Sequence, residues 1–176
     1  MITGEHSVIR MAEPDDAYEL RRLYDPERPR SALLDRRREI MLPSVDELRE
    51  GLARPEKSGV LYAVEDKTGG IRGFCSLRGA SAELRYGEII LPLFEDADYR
   101  EALAQEVLAY LCRLAFRDRR MNKVLAHCLG DETEWRALLA ERGFRSNGVQ
   151  RQVLWTLGRW HDIETLTLFH DGRQEV

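Results

Sequence analysis

The sequence predicts one mixed α/β domain spanning residues 1–176, with helices packed on a mixed central sheet. Three observations predict it. Segments alternating with period two are interleaved with segments of helical spacing, in the order β-α-α-β-β-β-α-β-α-β-β, which is the pattern of a layered α/β unit. Leu103, Val107, Leu111 and Leu114 form one apolar stripe at helical spacing near the middle of the chain. The 176 residues are 43% hydrophobic and 33% charged, enough for one core, and no repeat or long linker divides them.

The elements follow in order. Ser7–Met11 alternates and reads as the first strand. Pro14, Asp15 and Asp16 open a helix to about Tyr24, with proline in the first turn and acids at the positive end of the helix dipole. Asp25 to Pro29 breaks it. A second helical region covers Ala32–Met41, stops at Pro43 and resumes at Ser44, where Ser44 and Glu47 have the spacing of a capping box. Val60–Glu65 and Ile71–Arg78 read as hairpin strands around Lys67–Gly70, and Ala82–Phe94 as a longer strand interrupted by Pro92. A strong helix, Asp98–Phe116, precedes the strand Lys123–Cys128. Glu132–Arg142 is a helix with Trp135, Leu138 and Leu139 inward, stopped by Gly143. Val149–Leu157 and Trp160–Phe169 close the chain as a hairpin around Gly158 and Arg159, a pair suited to a type II′ turn. With Leu157 opposite Trp160, Trp155 faces Asp162, and alternation gathers Arg151, Trp155, Asp162 and Glu164 on one face. That face suits an amine or a peptide N-terminus, or is an ordinary hairpin with tryptophan in the core.

Composition excludes several classes. Acidic side chains number 31 and basic ones 27, for a net charge of −4, so nucleic acid is not an expected partner. The basic run Arg36 to Arg38 is flanked by Asp35 and Glu39 and reads as a solvated helix face. The longest apolar stretch, Ile89–Phe94, is too short to span a bilayer, and Met1–Arg10 lacks the pattern of a secretory signal. No membrane partner and a cytoplasmic location are expected. Cys75, Cys112 and Cys128 are odd in number and widely spaced, as reduced thiols would be. No metal is expected: His127 and Cys128 are adjacent on a strand and point to opposite faces.

Three stretches carry a family resemblance: Val8 to Asp16 as an opening strand and helix start, Glu141 to Phe144 as a helix ending in Gly-Phe, and Arg151 with Gly158 to Asp162 as a closing hairpin. Their order and spacing, with the element order, resemble the GNAT superfamily of N-acetyltransferases over nearly the whole chain. Within it, the nearest pattern is the branch of the ribosomal-protein alanine N-acetyltransferases.

The resemblance implies acyl-CoA, here acetyl-CoA, in a cleft where two parallel strands splay apart, with its pyrophosphate on a glycine-rich helix start. Ile90, Leu91 and Leu93 then contact pantetheine, and Arg100, Ala102, Leu103 and Ala104 form the phosphate loop. Aligned through Gln105 and Glu106, that loop has Ala102 in place of glycine and Tyr99 where arginine or glutamine is usual; aligned through Arg100, it is one residue short. No glycine falls between Gly87 and Gly130, and Glu95, Asp96 and Asp98 crowd negative charge upstream.

Glu88 is the candidate base on the central strand, its alternative being a strand carboxylate on the outer face. Glu132 and Trp135 stand where the family has asparagine and then serine or tyrosine. Asp25 to Met41 would line the acceptor side, with Arg151, Trp155 and Asp162 as acceptor-binding residues. The implied function is acyl-CoA-dependent N-acetylation of a primary amine, on a small molecule or a protein N-terminus. The alternative is a non-catalytic module of the same fold that has lost acyl-CoA, and a third reading is a homodimer built on the C-terminal hairpin.

Overall fold

In the computed structural model, residues 1–34, 37–55, 60–81 and 83–170 are described. Eight strands form a sheet in the order β1-β2-β3-β4-β5-β6-β8-β7. They are β1 (Ile2–Thr3), β2 (Val8–Met11), β3 (Tyr62–Glu65), β4 (Ile71–Ser81), β5 (Tyr86–Ile90), β6 (Lys123–Leu129), β7 (Arg145–Thr156) and β8 (Arg159–Phe169). Neighbours pair antiparallel except β5 and β6, which run parallel. The helices are α1 (Ala17–Arg21), α2 (Val45–Ala53), α3 (Ala102–Arg113) and α4 (Thr133–Glu141). A mixed sheet flanked by helices is the architecture the sequence predicts.

Strand alternation sorts the core into two layers. Val64 and Cys75 pack with Leu103, Val107 and Leu111 of α3 and with Trp135 and Leu139 of α4. Their chain neighbours Ala63 and Phe74 join Leu20 of α1 and Leu48 and Leu52 of α2. Adjacent strand residues point to opposite faces, so α3 and α4 cover the back of the sheet and α1 and α2 the front. Ile89 is in the back layer, which turns Glu88 and Ile90 to the front.

Several boundaries differ from expectation for identifiable reasons. The first helix begins as a tight 3-10 turn, Pro14–Asp16, before α1. No α-helix covers the described residues of Ala32–Met41: a 3-10 turn covers Ser31–Leu33, Leu34 is extended, and Arg38 has a positive φ of 63°. A short helix gains stability from packing an apolar face, and here the Arg30 and Ser31 side chains are instead held by Asp96, by Glu132 and by the His127 carbonyl of β6. Asp35, Arg36 and Ala82 lie outside the described residues. The strand expected from Ala82 begins at Tyr86.

Beyond Ile90 the chain stays on β4, with Phe74 N–H donating to the Pro92 carbonyl at 3.0 Å and Phe94 N–H to the Arg72 carbonyl at 2.9 Å. A Cβ at Gly73 would lie 2.4 Å from the Pro92 oxygen, so this close crossing requires glycine.

The central helix is also broken. Asp96–Arg100 is a 3-10 turn, Glu101 is extended, and α3 starts at Ala102. The closing hairpin turns one residue earlier than expected, at Leu157 and Gly158, both with positive φ, so its geometry is that of a type I′ turn. Trp155 therefore pairs with Trp160 rather than with Asp162. A shift of two in the pairing partner keeps parity, so these side chains remain on the face expected for them. The capping box is present: Glu47 N–H donates to Ser44 Oγ at 3.2 Å, and Ser44 N–H to Glu47 Oε2 at 2.7 Å.

The start of α1 is anchored by Arg10 of β2, whose Nη1 and Nη2 donate to Asp16 at 2.7 and 2.8 Å while its Nε reaches Glu65 of β3. The guanidinium holds the Asp16 carboxyl below its usual range, despite partial burial. Asp16→Asn is expected to lower stability at neutral pH by roughly 1–3 kcal/mol. Because the folded pKa is depressed, this contribution is present above the unfolded value of about 3.9 and is lost as pH falls through the folded value. The gap in urea midpoint between wild type and variant should thus narrow below about pH 4. A gap independent of pH would refute the ion pair as its source.

Candidate functional site

The parallel pairing of β5 and β6 ends at Glu88 opposite Leu125. Past this point β5 follows β4, while β6 follows β8 as far as Leu129 opposite Ile163. The strands fork. Pro92 and Phe94 turn their backbone groups to β4, so the alternating groups of Leu91 and Leu93 face the fork.

The chain's own side chains fill this fork. The fully buried Tyr99 hydroxyl donates to the Leu91 carbonyl at 2.8 Å and accepts from Leu93 N–H at 3.0 Å. Its ring packs on Trp135 with centroids 5.6 Å apart, and Trp135 Nε1 donates to the His127 carbonyl of β6 at 3.0 Å. The Ser31 hydroxyl reaches the same carbonyl at 2.8 Å and Glu132 Oε2 at 2.6 Å, and Leu129 N–H donates to that carboxyl at 2.7 Å. Burial raises the Glu132 pKa against these donors. At the mouth, Arg100 forks onto Glu134 of α4, with Nε to Oε2 at 2.7 Å. Arg30 holds Asp96 at 2.6 Å, and Arg72 holds the buried Asp98.

The acyl-CoA that the resemblance implies does not fit these residues as they are arranged. The strand-edge groups facing the fork are already bonded to Tyr99, Trp135 and Ser31. At the start of α3, Glu101 N–H is bonded to the Asp98 carbonyl and Ala104 N–H to the Glu101 carbonyl, which removes donors a phosphate would use. Asp96, Asp98 and Glu101 set negative charge beside the same helix end.

The front face is open. Glu88 and His127 meet there, Oε1 to Nε2, at 3.8 Å, and Thr165 Oγ1 lies 3.0 Å from His127 Nδ1. Burial lowers the His127 pKa more than the Glu88 carboxylate raises it, and Arg38 pushes it down too, so the imidazole is neutral near pH 7. Both side chains line a cavity of about 680 Å³ with Arg38, Arg78 and Tyr86. A carboxylate beside a neutral imidazole can accept a proton from an amine and pass it on.

The sequence-predicted residues are therefore dispersed. Glu88 lies on the front cavity. Ile90 lines an adjoining apolar chamber. Leu91 and Leu93 are buried and tied to Tyr99. Arg100 is exposed and paired. Ala102 is the exposed first residue of α3, and Leu103 and Ala104 are buried in the core. Arg151 lies 3.9 Å from Asp162, and Trp155 makes an edge-on contact with Trp160 at 5.3 Å, more than half exposed. These three hairpin residues are not among those lining the two front cavities.

Sequence reasoning missed Arg78, Thr165 and the role of His127. The signal for His127 was parity: Leu125 pairs with Glu88, and His127 is two residues on, hence on the same face. It could be read only once the parallel pairing was known.

The sequence profile of the acetyltransferase (GNAT) domain matches residues 9–164. No curated protein matches the chain. Among solved structures, spermidine N-acetyltransferase of Vibrio cholerae in complex with CoA and spermine superposes with a TM-score of 0.77 at 17% identity, covering 94% of this chain and 96% of that one. A dodecameric structure of the same enzyme gives 0.78 at 18% identity, covering 98% of both chains. A probable acetyltransferase gives 0.75 at 22% identity, covering 95% of this chain and 94% of its own.

Tyr99→Phe keeps the ring but leaves the Leu91 carbonyl and Leu93 N–H buried without a partner, at an expected cost of about 1–3 kcal/mol. Urea unfolding measures it, and faster exchange of the Leu93 amide should accompany the loss. An unchanged midpoint would show that the hydroxyl does not hold the fork.

Proposed function

This chain belongs to the GNAT family of acetyltransferases, and from that premise we propose that it is an acyl-CoA-dependent N-acetyltransferase acting on a primary amine. One observation carries the reading: at the fork of the parallel strands, the Glu88 carboxylate faces an open cavity 3.8 Å from His127 Nε2. In this role Glu88 takes the amine proton, and the neutral His127, oriented by Thr165, receives or relays it. Acetyl-CoA is the proposed co-substrate, and its pantetheine would need the Leu91 and Leu93 backbone groups that the Tyr99 hydroxyl holds in this structure.

A second reading is favoured by a specific observation, the closure of that fork by Tyr99, Trp135 and the Arg100–Glu134 pair. In it the protein is a non-catalytic GNAT-fold module that binds a ligand on its front face and no acyl-CoA.

Further assignments accompany the first reading. The stretches Val8 to Asp16, Glu141 to Phe144 and Gly158 to Asp162 support the ribosomal-protein alanine branch. Three buried free thiols, Cys75, Cys112 and Cys128, support a cytoplasmic location. A homodimer is assigned to the hairpin tip, where Trp155, Leu157 and Trp160 are each more than half exposed; sedimentation as a monomer would remove that assignment.

Titration of acetyl-CoA and longer acyl-CoAs against the melting temperature separates the two readings. A ligand bound to the folded state stabilises it by about 2.7 kcal/mol at a hundredfold excess over its Kd. The enzyme reading expects such a rise, an N-acetylated product by mass spectrometry, and a Glu88→Gln variant whose turnover falls by about 10²-fold or more with the rise retained. No thermal response at millimolar acyl-CoA and no product would remove the enzyme reading and leave the second.

A further inference from the structure

Two cavities share the front face and meet at Arg78 and Gly79, which line both. One is the open basin holding Glu88 and His127. The other is a chamber of about 260 Å³ walled by Leu20, Tyr24, Leu48, Leu52, Phe74 and Ile90, among other residues.

The register of β4 against β5 sets the order of chemistry along this face. Arg78 is directly opposite Glu88, and the next pair on the same face is Ser76 opposite Ile90. Opposed residues place their Cβ atoms about 5 Å apart. Arg78 and Glu88 thus leave the same face of adjacent strands, with Arg78 Nη2 also donating to the Ala32 carbonyl at 3.3 Å, and one step along, about 7 Å away, Ser76 and Ile90 lead into the chamber. An α-amino acid has the complementary layout. Its carboxylate and ammonium are separated by one carbon, and its side chain leaves from that same carbon.

We propose that this front face binds a free α-amino acid with a branched or aromatic apolar side chain. The carboxylate lies on Arg78, with Arg38 adding positive charge. The ammonium lies against Glu88 and His127, and the side chain enters the chamber. This rests on the amine-acceptor reading of the Glu88 basin and names its substrate class.

The same charges disfavour a polyamine. In the basin, two guanidiniums outnumber the Glu88 carboxylate. In the chamber Glu47 is the one carboxylate among the described residues, bonded through one oxygen to Ser44 N–H at the cap of α2, and Arg78 offsets its charge, so a further ammonium of a polyamine finds no net negative charge there.

Calorimetric titration tests the assignment with L-leucine and L-phenylalanine as probes, and with leucinamide, 4-methylpentanoate and spermidine as comparisons. Leucine or phenylalanine should bind, and loss of either the carboxylate or the amine should weaken binding about tenfold or more. Arg78→Ala should weaken leucine binding similarly while the far-ultraviolet dichroism stays unchanged. Leu48→Phe, which fills the chamber, should weaken phenylalanine binding more than that of alanine. Spermidine binding as tightly as leucine, or neither amino acid binding at millimolar concentration, would overturn the proposal.

The outcomes separate from those of the activity. Leucine binding without acyl transfer upholds this site and removes the enzyme reading. Acyl transfer to spermidine but to no amino acid upholds the enzyme reading and overturns this site.

Discussion

The bridge from Leu91 and Leu93 through Tyr99 and Trp135 to His127 is the contact on which the site depends. Where two parallel strands part, each exposes backbone donors and acceptors that no neighbouring strand can satisfy. Buried groups of this kind need partners. Here a phenol hydroxyl serves two of them just past β5, an indole N–H serves one on β6, and ring packing joins the two. The fork is closed by protein atoms. The broken helix start follows from this closure, because Asp96–Arg100 must turn tightly to aim Tyr99 inward while Arg30 and Arg72 hold the flanking acids.

A closed fork divides the molecule into two chemical faces. The back layer, under α3 and α4, is dry and tightly packed. The front retains charge, with Glu88, Arg78 and His127 on neighbouring strands and α1 and α2 leaving space above them. Alternation along β4, β5 and β6 assigns each residue its side, so Ile89 anchors the core while Glu88 beside it meets solvent. Family membership supplies the expectation of an acyl donor at the fork, and the front face is where the proposed acceptor would lie. Tyr99 and Trp135 fill the fork itself.

Much of this was legible in the residues. The stripe from Leu103 to Leu111, the capping box at Ser44 and Glu47 and the glycine stop at Gly143 are local signals, and each appears where expected. The glycine-free start of α3 and its neighbouring acids could be read too. What could not be read was the purpose of Tyr99, because its partners lie on β5 and α4. The region Ala32–Met41 misled because its composition suits a helix, whereas Arg30 and Ser31 are bound to Asp96 and His127, distant in sequence. The hairpin turn misled by one residue because Leu157 takes a positive φ beside Gly158, which centres the turn on those two residues.

By itself the sequence determined the layered α/β class, most of the helices and strands, the family and the glycine-free start of α3. Periodicity, caps and turn residues act over a few positions, and such signals are written in order along the chain. Only the tertiary structure decided that the fork is filled, that Arg78 stands beside Glu88, and that His127 shares their face. Those relations depend on strand register and on side chains meeting across long separations. No local preference encodes them, since register is set between strands and the filled fork answers the need of backbone groups at the parting strands for partners.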